Sequence, residues 1–146
     1  MKLFSSPPGP VETYPVQYTE AEWRARLRPE QFVVLRQHAT ERAGTSPLNQ
    51  EKRPGMFFCA GCDAPLFPAE TKFESGTGWP SFFAPGDPKA IGMREDRSLF
   101  MARTEVHCAR CGGHLGHVFP DGPKPTGLRY CLNGAALTFK PADPDA

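Results

Sequence analysis

The chain has 146 residues, a formal net charge of +1 at pH 7, 39% hydrophobic residues and 23% charged residues. This length fits one domain that buries a core without disulfide staples, and the composition is that of an ordinary globular protein. Because the charges are balanced and no stretch is long and apolar enough for a transmembrane helix, we expect neither nucleic acid nor a membrane as a partner.

The first part of the chain predicts an extended arm followed by a helix. Residues 1–18 are rich in proline and polar groups, which indicates a weakly ordered arm. Its start, MKLFSSPPGP, has no apolar segment typical of a secretory signal, so we expect a cytoplasmic protein with reduced thiols. Thr19 and Glu22 have the spacing of a capping box, which predicts a short helix with Trp23 and Leu27 on one face.

A second helix follows within the predicted domain, which covers residues 19–141 and leaves 142–146 as a flexible tail. Pro29 is suited to the first position of this helix, which is expected to run to about His38. Three of its apolar side chains are expected to pack inward: Phe32, Val33 and Leu35.

The rest of the chain predicts β structure after a polar loop over residues 41–54. Short apolar runs lie between glycine and proline turns, a pattern typical of strands. The best candidates are residues 56–58, 66–67, 99–106 and 129–140. We therefore predict a mainly β, mostly antiparallel domain with two short N-terminal helices.

Four of the five cysteines form two C-x2-C pairs: Cys59, Cys62, Cys108 and Cys111. Four soft sulfur ligands suit zinc in a closed structural site. The pairs are 45 residues apart, too far for a compact zinc ribbon, so the ion would clamp two hairpins of a larger sheet. A disulfide framework is disfavoured by the odd cysteine count, and redox C-x-x-C motifs normally begin a helix in a βαβ unit. We predict one structural zinc ion.

The fifth cysteine, Cys131, lies in the motif LRYCLNG and stays free if the four paired thiols bind a metal. Side chains alternate along a strand, so Arg129, Cys131 and Asn133 would point to one face. A nearby arginine can lower the pKa of a thiol and hold it as a nucleophilic thiolate. Buried, unreactive cysteines are also common, and the strand alone does not decide between the two.

Two further motifs contain residues suited to proton transfer or to binding. His114 and His117 follow the second cysteine pair, and a histidine exchanges protons near neutral pH. If residues 114–117 form an extended strand, the side chains of His114 and His117 face opposite ways, so at most one of them would be well placed for proton transfer. Trp79 lies in the glycine-rich segment ESGTGWPSF, where it would form either an aromatic wall or part of the core.

Taken together, these motifs closely resemble those of the B-type methionine sulfoxide reductases, which act on the R epimer of methionine sulfoxide. The resemblance covers about residues 20–140 and rests on the order, spacing and content of five segments. These are ERAGTSPLN at 41–49, CAGCDAPLF at 59–67, TKFESGTGWPSF at 71–82, CARCGGHLGHVFPDGP at 108–123 and RYCLNG at 129–134. The resemblance implies a β-tent fold of two antiparallel sheets, and it makes residues 19–141 a single catalytic domain with a structural zinc remote from the active site.

The resemblance also implies a catalytic role for each polar residue of the site. Cys131 would be the nucleophile, activated with the help of Arg129, and would become a sulfenic acid. His114, His117 and Asn133 would hold the sulfoxide oxygen and water, and His117 would deliver a proton.

Substrates and partners follow from the same resemblance. Trp79 would cradle the substrate methyl group, with Phe82 and Phe119 as further substrate contacts. The substrates would be oxidised proteins or peptides that contain methionine-R-sulfoxide, and also the free amino acid. A monomer recycled by thioredoxin or another thiol reductant is expected.

Two positions depart from the common pattern of the resembled family. Gly134 stands where many relatives have serine, and Thr77 stands where many have a second redox cysteine. Recycling of Cys131 would therefore depend on an external thiol. Two other functions stay open: a non-catalytic zinc-bound protein-interaction module, and a cysteine hydrolase that uses Cys131, His117 and Asn133.

Overall fold

The computed structural model describes residues 13–97 and 102–143, which form a mainly β domain. Two α helices precede the sheets: α1 (Glu20–Arg26) and α2 (Pro29–Gln37). The strands of the described residues are β1 (Gly55–Cys59), β2 (Pro65–Pro68), β3 (Lys72–Phe73), β4 (Ser81–Phe82), β5 (Ile91–Asp96), β6 (Arg103–Cys108), β7 (His114–Phe119), β8 (Arg129–Leu132) and β9 (Leu137–Pro141). Within this part of the chain, neither helix has the length and apolar character needed to span a membrane.

The strands form two antiparallel sheets, which confirms the predicted fold class. In the smaller sheet β1 lies between β2 and β9, and in the larger sheet the strand order is β3-β4-β8-β7-β6-β5. β8 and β9 are consecutive in the sequence but belong to different sheets. The chain therefore passes from one sheet to the other directly after the strand that carries Cys131.

Local sequence signals account for both helices. The Thr19 hydroxyl accepts a hydrogen bond from the Glu22 amide and the Glu22 carboxylate accepts one from the Thr19 amide, which confirms the predicted capping box. α2 begins at Pro29 as predicted. It ends at Gln37 because His38 adopts a left-handed backbone conformation with φ of 58°.

The inward face of α2 differs from the prediction at one position. Phe32 and Leu35 are buried as expected, but Val33 is 37% exposed and Val34 only 2% exposed. Successive residues of an α helix point in different directions, so the stripe that contacts β7 includes Val34 in place of its neighbour. The prediction for Val33 was therefore wrong.

The strand predicted over residues 129–140 is two strands. A 3-10 turn at Gly134–Ala136 separates β8 from β9 and redirects the chain between the sheets. The strand predicted over 99–106 overlaps β6, although residues 98–101 lie outside the described part of the chain. β5 was not predicted, because it is an edge strand with a largely charged second half.

Residues 13–18 lie against the turn between β6 and β7. The Val16 amide donates a hydrogen bond to the Arg110 carbonyl at 2.9 Å. The Tyr14 ring covers Gly112, where a Cβ atom would collide with it, and meets the His107 ring edge-on at 5.8 Å. This segment therefore covers the second cysteine pair from outside.

A cluster of aromatic rings joins the two sheets. Phe57 of β1 and Phe82 of β4 are fully buried, with ring centroids 5.0 Å apart. The Phe67 ring lies 4.8 Å from Phe82, and the Phe139 ring lies 4.8 Å from Phe57. Burial of a side chain of this size contributes about 1.5–3 kcal/mol, so these contacts hold the sheets together.

Replacing Phe57 by alanine should lower the free energy of unfolding by about 3–5 kcal/mol, because a cavity opens between the sheets. Equilibrium denaturation of the metal-loaded protein measures this change. Val33→Ala removes apolar atoms at an exposed site and should alter the same quantity by less than about 0.5 kcal/mol. If both substitutions changed the free energy of unfolding by the same small amount, the aromatic contacts of Phe57 would not hold the two sheets together.

Candidate active site and metal centre

The four paired cysteines meet in one buried cluster, although they come from two sheets. Cys59 and Cys62 lie at the turn between β1 and β2, whereas Cys108 and Cys111 lie at the turn between β6 and β7. The Sγ atoms of Cys59 and Cys111 are 3.7 Å apart, and those of Cys62 and Cys108 are 3.6 Å apart. These four sulfur atoms are close enough to hold one metal ion.

Backbone amides of both turns point at the sulfur atoms. The Gly61 amide donates a hydrogen bond to Cys59 Sγ, and the Arg110 amide donates one to Cys108 Sγ, each at 3.4 Å. Hydrogen bonds from Cys111 and the other two thiols hold the pKa of the Cys108 thiol well below its ordinary value. Donors of this kind favour the thiolate form, which is the form that binds a metal.

A second site surrounds Cys131. It is a pocket of about 110 Å³. Its lining residues are Thr40, Trp79, Arg103, Gly116, His117, Phe119, Cys131 and Asn133. The pocket therefore brings together five of the predicted site residues: Cys131, His117, Asn133, Trp79 and Phe119.

Cys131 lies within the larger sheet between strands β4 and β7. It pairs with Ser81 on one side and with His117 on the other. Burial raises the pKa of the Cys131 thiol above its ordinary value, although the Arg129 guanidinium and the Thr77 hydroxyl oppose this shift. The predicted lowering by Arg129 is therefore present but is outweighed by burial.

Arg129 is fixed beside the pocket by two interactions. Its Nε and Nη2 atoms donate hydrogen bonds to the two carboxylate oxygens of Asp121, at 2.9 Å and 3.1 Å. Its guanidinium carbon lies 4.5 Å from the centre of the Phe119 ring. A planar guanidinium that is both paired and stacked has a defined orientation. Asp121 was not predicted, because its sequence context, PDG, indicates only a turn.

A β-bulge brings His114 and His117 together. The register of β7 against β6 shifts, since His107 pairs with His114 but Val106 pairs with Gly116. One extra residue between the histidines reverses the alternation of side chains, and the two imidazole centroids are 5.5 Å apart. The expectation that these side chains face opposite ways was therefore wrong, although β7 is extended.

Each of these histidines contacts a carboxylate that the sequence did not single out. His114 Nδ1 lies 2.8 Å from Glu105 Oε2, and His117 Nε2 lies 2.8 Å from Asp96 Oδ2. Burial raises the pKa of Glu105, but hydrogen bonds with His107 and His114 outweigh it and hold that pKa below its ordinary value. Glu105 stands two residues before His107 on a strand, a spacing that could have indicated a shared face. Asp96 ends a charged strand and has no such signal.

A larger cavity of about 420 Å³ adjoins the Cys131 pocket. The two spaces share Thr40, Arg103 and His117. In this cavity His38, Glu105 and His114 are spaced closely enough for a metal ion. However, Glu105 Oε1 lies 2.9 Å from Arg94 Nε, and its Oε2 contacts both imidazoles. Hydrogen bonds and an ion pair account for this group without a metal.

Glu41 links two walls of the Cys131 pocket. Its backbone amide donates a hydrogen bond to Asn133 Oδ1 at 2.9 Å, and its carbonyl accepts one from Trp79 Nε1 at 3.0 Å. The Glu41 carboxylate accepts a hydrogen bond from the Ala135 amide at 2.8 Å. Asn133 Nδ2 also donates to the Leu115 carbonyl. Trp79 is thereby held as a half-buried wall of the pocket, and it is not a core residue.

Phe82 and Gly134 do not line the Cys131 pocket. Phe82 is fully buried between the rings of Phe57 and Phe67. A Cβ atom at Gly134 would collide with the side chain of Ser46. Ser46 therefore fills the space beside Asn133 that a side chain at position 134 would need.

Comparison with known proteins assigns this chain to a family. A family model described as the SelR domain matches residues 27–141. A relative from Agrobacterium fabrum, named peptide methionine sulfoxide reductase MsrB, is 53% identical over 126 residues, which cover 86% of this chain and 93% of the relative. A relative of the same name from Pseudomonas putida (strain W619) is 56% identical over 128 residues, or 88% and 96% of the two chains. The chain therefore belongs to the SelR-domain family of B-type peptide methionine sulfoxide reductases.

Proposed function

We propose that this protein reduces the R epimer of methionine sulfoxide to methionine, in peptides and as the free amino acid. The observation that carries the proposal is the pocket shared by Cys131, His117, Asn133 and Trp79. It combines a sulfur nucleophile, a proton donor, a side-chain amide and an aromatic wall. Membership of the B-type family supports the same reaction.

The dimensions of the pocket suit the end of a methionine sulfoxide side chain. Its volume is about 110 Å³, whereas pockets for whole small molecules usually measure about 300–1,000 Å³. The methyl and sulfoxide groups would enter, and the peptide backbone would stay outside. Trp79 and Phe119 would contact the methyl group, while Phe82 would support the site from the core.

The reaction requires the sulfoxide oxygen to gain a proton while its sulfur is attacked. The Cys131 thiolate attacks the sulfoxide sulfur, His117 protonates the oxygen, and that oxygen passes to the cysteine as the substrate S–O bond breaks. The cysteine sulfur is oxidised by two electrons and the substrate sulfur is reduced by two. The products are methionine and a Cys131 sulfenic acid, the reversible first stage of cysteine oxidation. Asn133 and His114 would orient the oxygen and a water molecule.

Formation of the thiolate in this buried site would depend on two neighbours of Cys131. Because burial raises the pKa of the thiol, the Arg129 guanidinium and the Thr77 hydroxyl have to offset that shift. Asp121 holds Arg129 in place for this purpose through two hydrogen bonds.

We infer that the ion of the cysteine cluster is one structural zinc. Tetrahedral zinc with Zn–S bonds of about 2.3 Å places neighbouring sulfurs about 3.8 Å apart. The observed separations are 3.7 Å for Cys59 and Cys111 and 3.6 Å for Cys62 and Cys108. Four buried thiolates complete the tetrahedron and leave no position for a substrate. The ion would tie the β1–β2 turn to the β6–β7 turn.

Recycling of Cys131 would need an external thiol. The chain has five cysteines, and four of them form the metal cluster. Thr77 contacts the Cys131 sulfur, but its hydroxyl is too weak a nucleophile at neutral pH to displace the sulfenic oxygen. Thioredoxin or another thiol reductant would therefore be the partner.

A cytoplasmic monomer fits this chemistry. All five cysteines are free thiols, and the cluster binds a metal only while its thiols stay reduced. With a formal net charge of +1, the chain also lacks a strong electrostatic attraction to nucleic acid or to an anionic membrane. Its macromolecular partners would be oxidised proteins and the thiol reductant.

Incubation with a racemic methionine sulfoxide peptide and dithiothreitol should consume one epimer only. Cys131→Ser should abolish this activity, because the nucleophile is lost, and should keep the fold and the metal. Separation of the two epimers by chromatography measures the result. Survival of both epimers would refute the proposed reduction, and cleavage of the peptide would instead indicate a hydrolase.

Metal analysis should find one zinc per chain in the wild-type protein and in Cys131→Ser. Cys108→Ser should lose the metal and unfold at lower temperature, because metal binding contributes directly to folding. Mass spectrometry under native conditions and thermal unfolding measure the two effects. A folded, active protein that contains no zinc would overturn the assignment.

After one turnover without reductant, Cys131 should persist as a sulfenic acid and form an adduct with dimedone. Mass spectrometry of the digested protein locates the adduct. Thr77→Cys is a matched variant, because residue 77 already contacts the Cys131 sulfur, and it should form an internal disulfide in place of the adduct. A wild-type disulfide between Cys131 and a cluster cysteine, with loss of metal, would contradict external recycling.

A further inference from the structure

Asp96 contacts His117 at the boundary between the Cys131 pocket and the neighbouring cavity. Asp96 Oδ2 lies 2.8 Å from His117 Nε2 and 3.3 Å from Arg103 Nη2. The His117 side chain is 11% exposed and that of Asp96 is 24% exposed, so water screens this contact only in part. His117 itself lies opposite Cys131 in the sheet.

We propose that Asp96 is a positioning residue of the reductase, which orients His117 and favours its protonated form for delivery of a proton to the sulfoxide oxygen. This inference rests on the proposed function. A carboxylate that accepts a hydrogen bond from Nε2 fixes the plane of the ring and leaves Nδ1 as the nitrogen available to give a proton to the substrate. The same arrangement of a carboxylate behind a histidine orients general acids and bases in other enzymes.

His117 needs such a partner because its other surroundings disfavour the charged imidazolium. Among the described residues, the titratable and charged groups that line the two spaces beside it are Arg94, Glu95 and Asp96 on β5, Arg103 and Glu105 on β6, His114 on β7, Cys131 on β8 and His38 after α2. Burial lowers the pKa of His117, and the charges of Arg103 and His114 lower it further. Asp96 raises it, both as a hydrogen-bond partner and as a charge.

The other carboxylate near His117 is already engaged. Glu105 pairs with His117 in the sheet register, but its oxygens contact His107, His114 and Arg94. A Cys131 thiolate would also favour a charged His117, yet it is consumed when it attacks the substrate sulfur. The carboxylate of Asp96 forms no bond with the substrate and is not consumed in the reaction.

The proton balance of the step follows from this geometry. The charged His117 gives one proton to the sulfoxide oxygen, which leaves with the Cys131 sulfur as the sulfenic hydroxyl. His117 becomes neutral and remains hydrogen-bonded to Asp96. It regains a proton from water in the open cavity before the next turnover.

The test is Asp96→Asn, which keeps the shape of the side chain and removes its charge. In a single turnover of the zinc-loaded enzyme near pH 7, the rate should fall about tenfold or more. In the steady state with dithiothreitol, KM should change little. Because Asp96 raises the pKa of His117, removal of its charge should lower that pKa, and the loss of rate with rising pH should begin at a lower pH than in the wild type. In His117→Ala, the same substitution at position 96 should have no further effect on the rate.

Glu95→Gln is the matched control, since Glu95 lines the same cavity and its carboxylate pairs with Arg97. It should keep the wild-type rate and pH profile. Asp96→Glu, which retains the charge, should recover the wild-type pH profile in part. Equal pH profiles for Asp96→Asn and wild type would overturn the proposal.

A measurement independent of catalysis separates this inference from the proposed function. Nitrogen-15 NMR of the imidazole groups should find the His117 proton on Nε2 in the neutral form, and a lower pKa for His117 in Asp96→Asn. If the wild-type protein consumes no sulfoxide, the proposed function fails while this contact can still be measured. If the His117 titration is unchanged in a folded Asp96→Asn protein, the role of Asp96 fails while the reductase stands.

Discussion

The pairing of β7 with β8 is the contact on which the candidate active site depends. It sets His117 directly opposite Cys131, so an imidazole and a thiol are adjacent without any loop between them. The two strands approach closely at Gly116, where a Cβ atom would collide with the Cys131 carbonyl. A backbone held by ladder hydrogen bonds positions reacting groups better than a mobile loop can. The remaining groups of the site are arranged around this pair.

The cysteine cluster and the Cys131 pocket both lie on the larger sheet but at different parts of it. The cysteine cluster lies at the turn between β6 and β7 and joins that turn to the smaller sheet. The pocket lies further along β7, beside β8. A metal ion held by the cluster would fix the end of β7 and limit movement of the histidines on that strand. In the proposed function, the cluster would support the reaction through rigidity, without contact with the substrate.

Charges around the pocket are organised in pairs that each fix one side chain of the candidate site. Asp121 holds Arg129, Glu105 holds His114, and Asp96 holds His117. Partial burial strengthens the Glu105–His114 and Asp96–His117 pairs, because water screens them less than it screens exposed ion pairs. Burial also raises the pKa of Cys131 and lowers that of His117, which disfavours the charged form of both groups. The site therefore relies on local partners to offset the cost of its own burial.

The sequence by itself determined the parts of this protein that depend on residue type and local spacing. The capping box of α1, the two cysteine pairs, the free Cys131 and the family motifs all follow from neighbours in the chain. Only the tertiary structure decided which side chains meet. A one-residue bulge placed His114 beside His117 against the expected alternation, and a 3-10 turn divided the last predicted strand between two sheets. Asp96, Glu105 and Glu41 became visible as partners because strands and loops distant in sequence converge around the pocket. Local preferences set the conformation of a segment, whereas register and packing between segments depend on contacts that no single stretch of sequence contains.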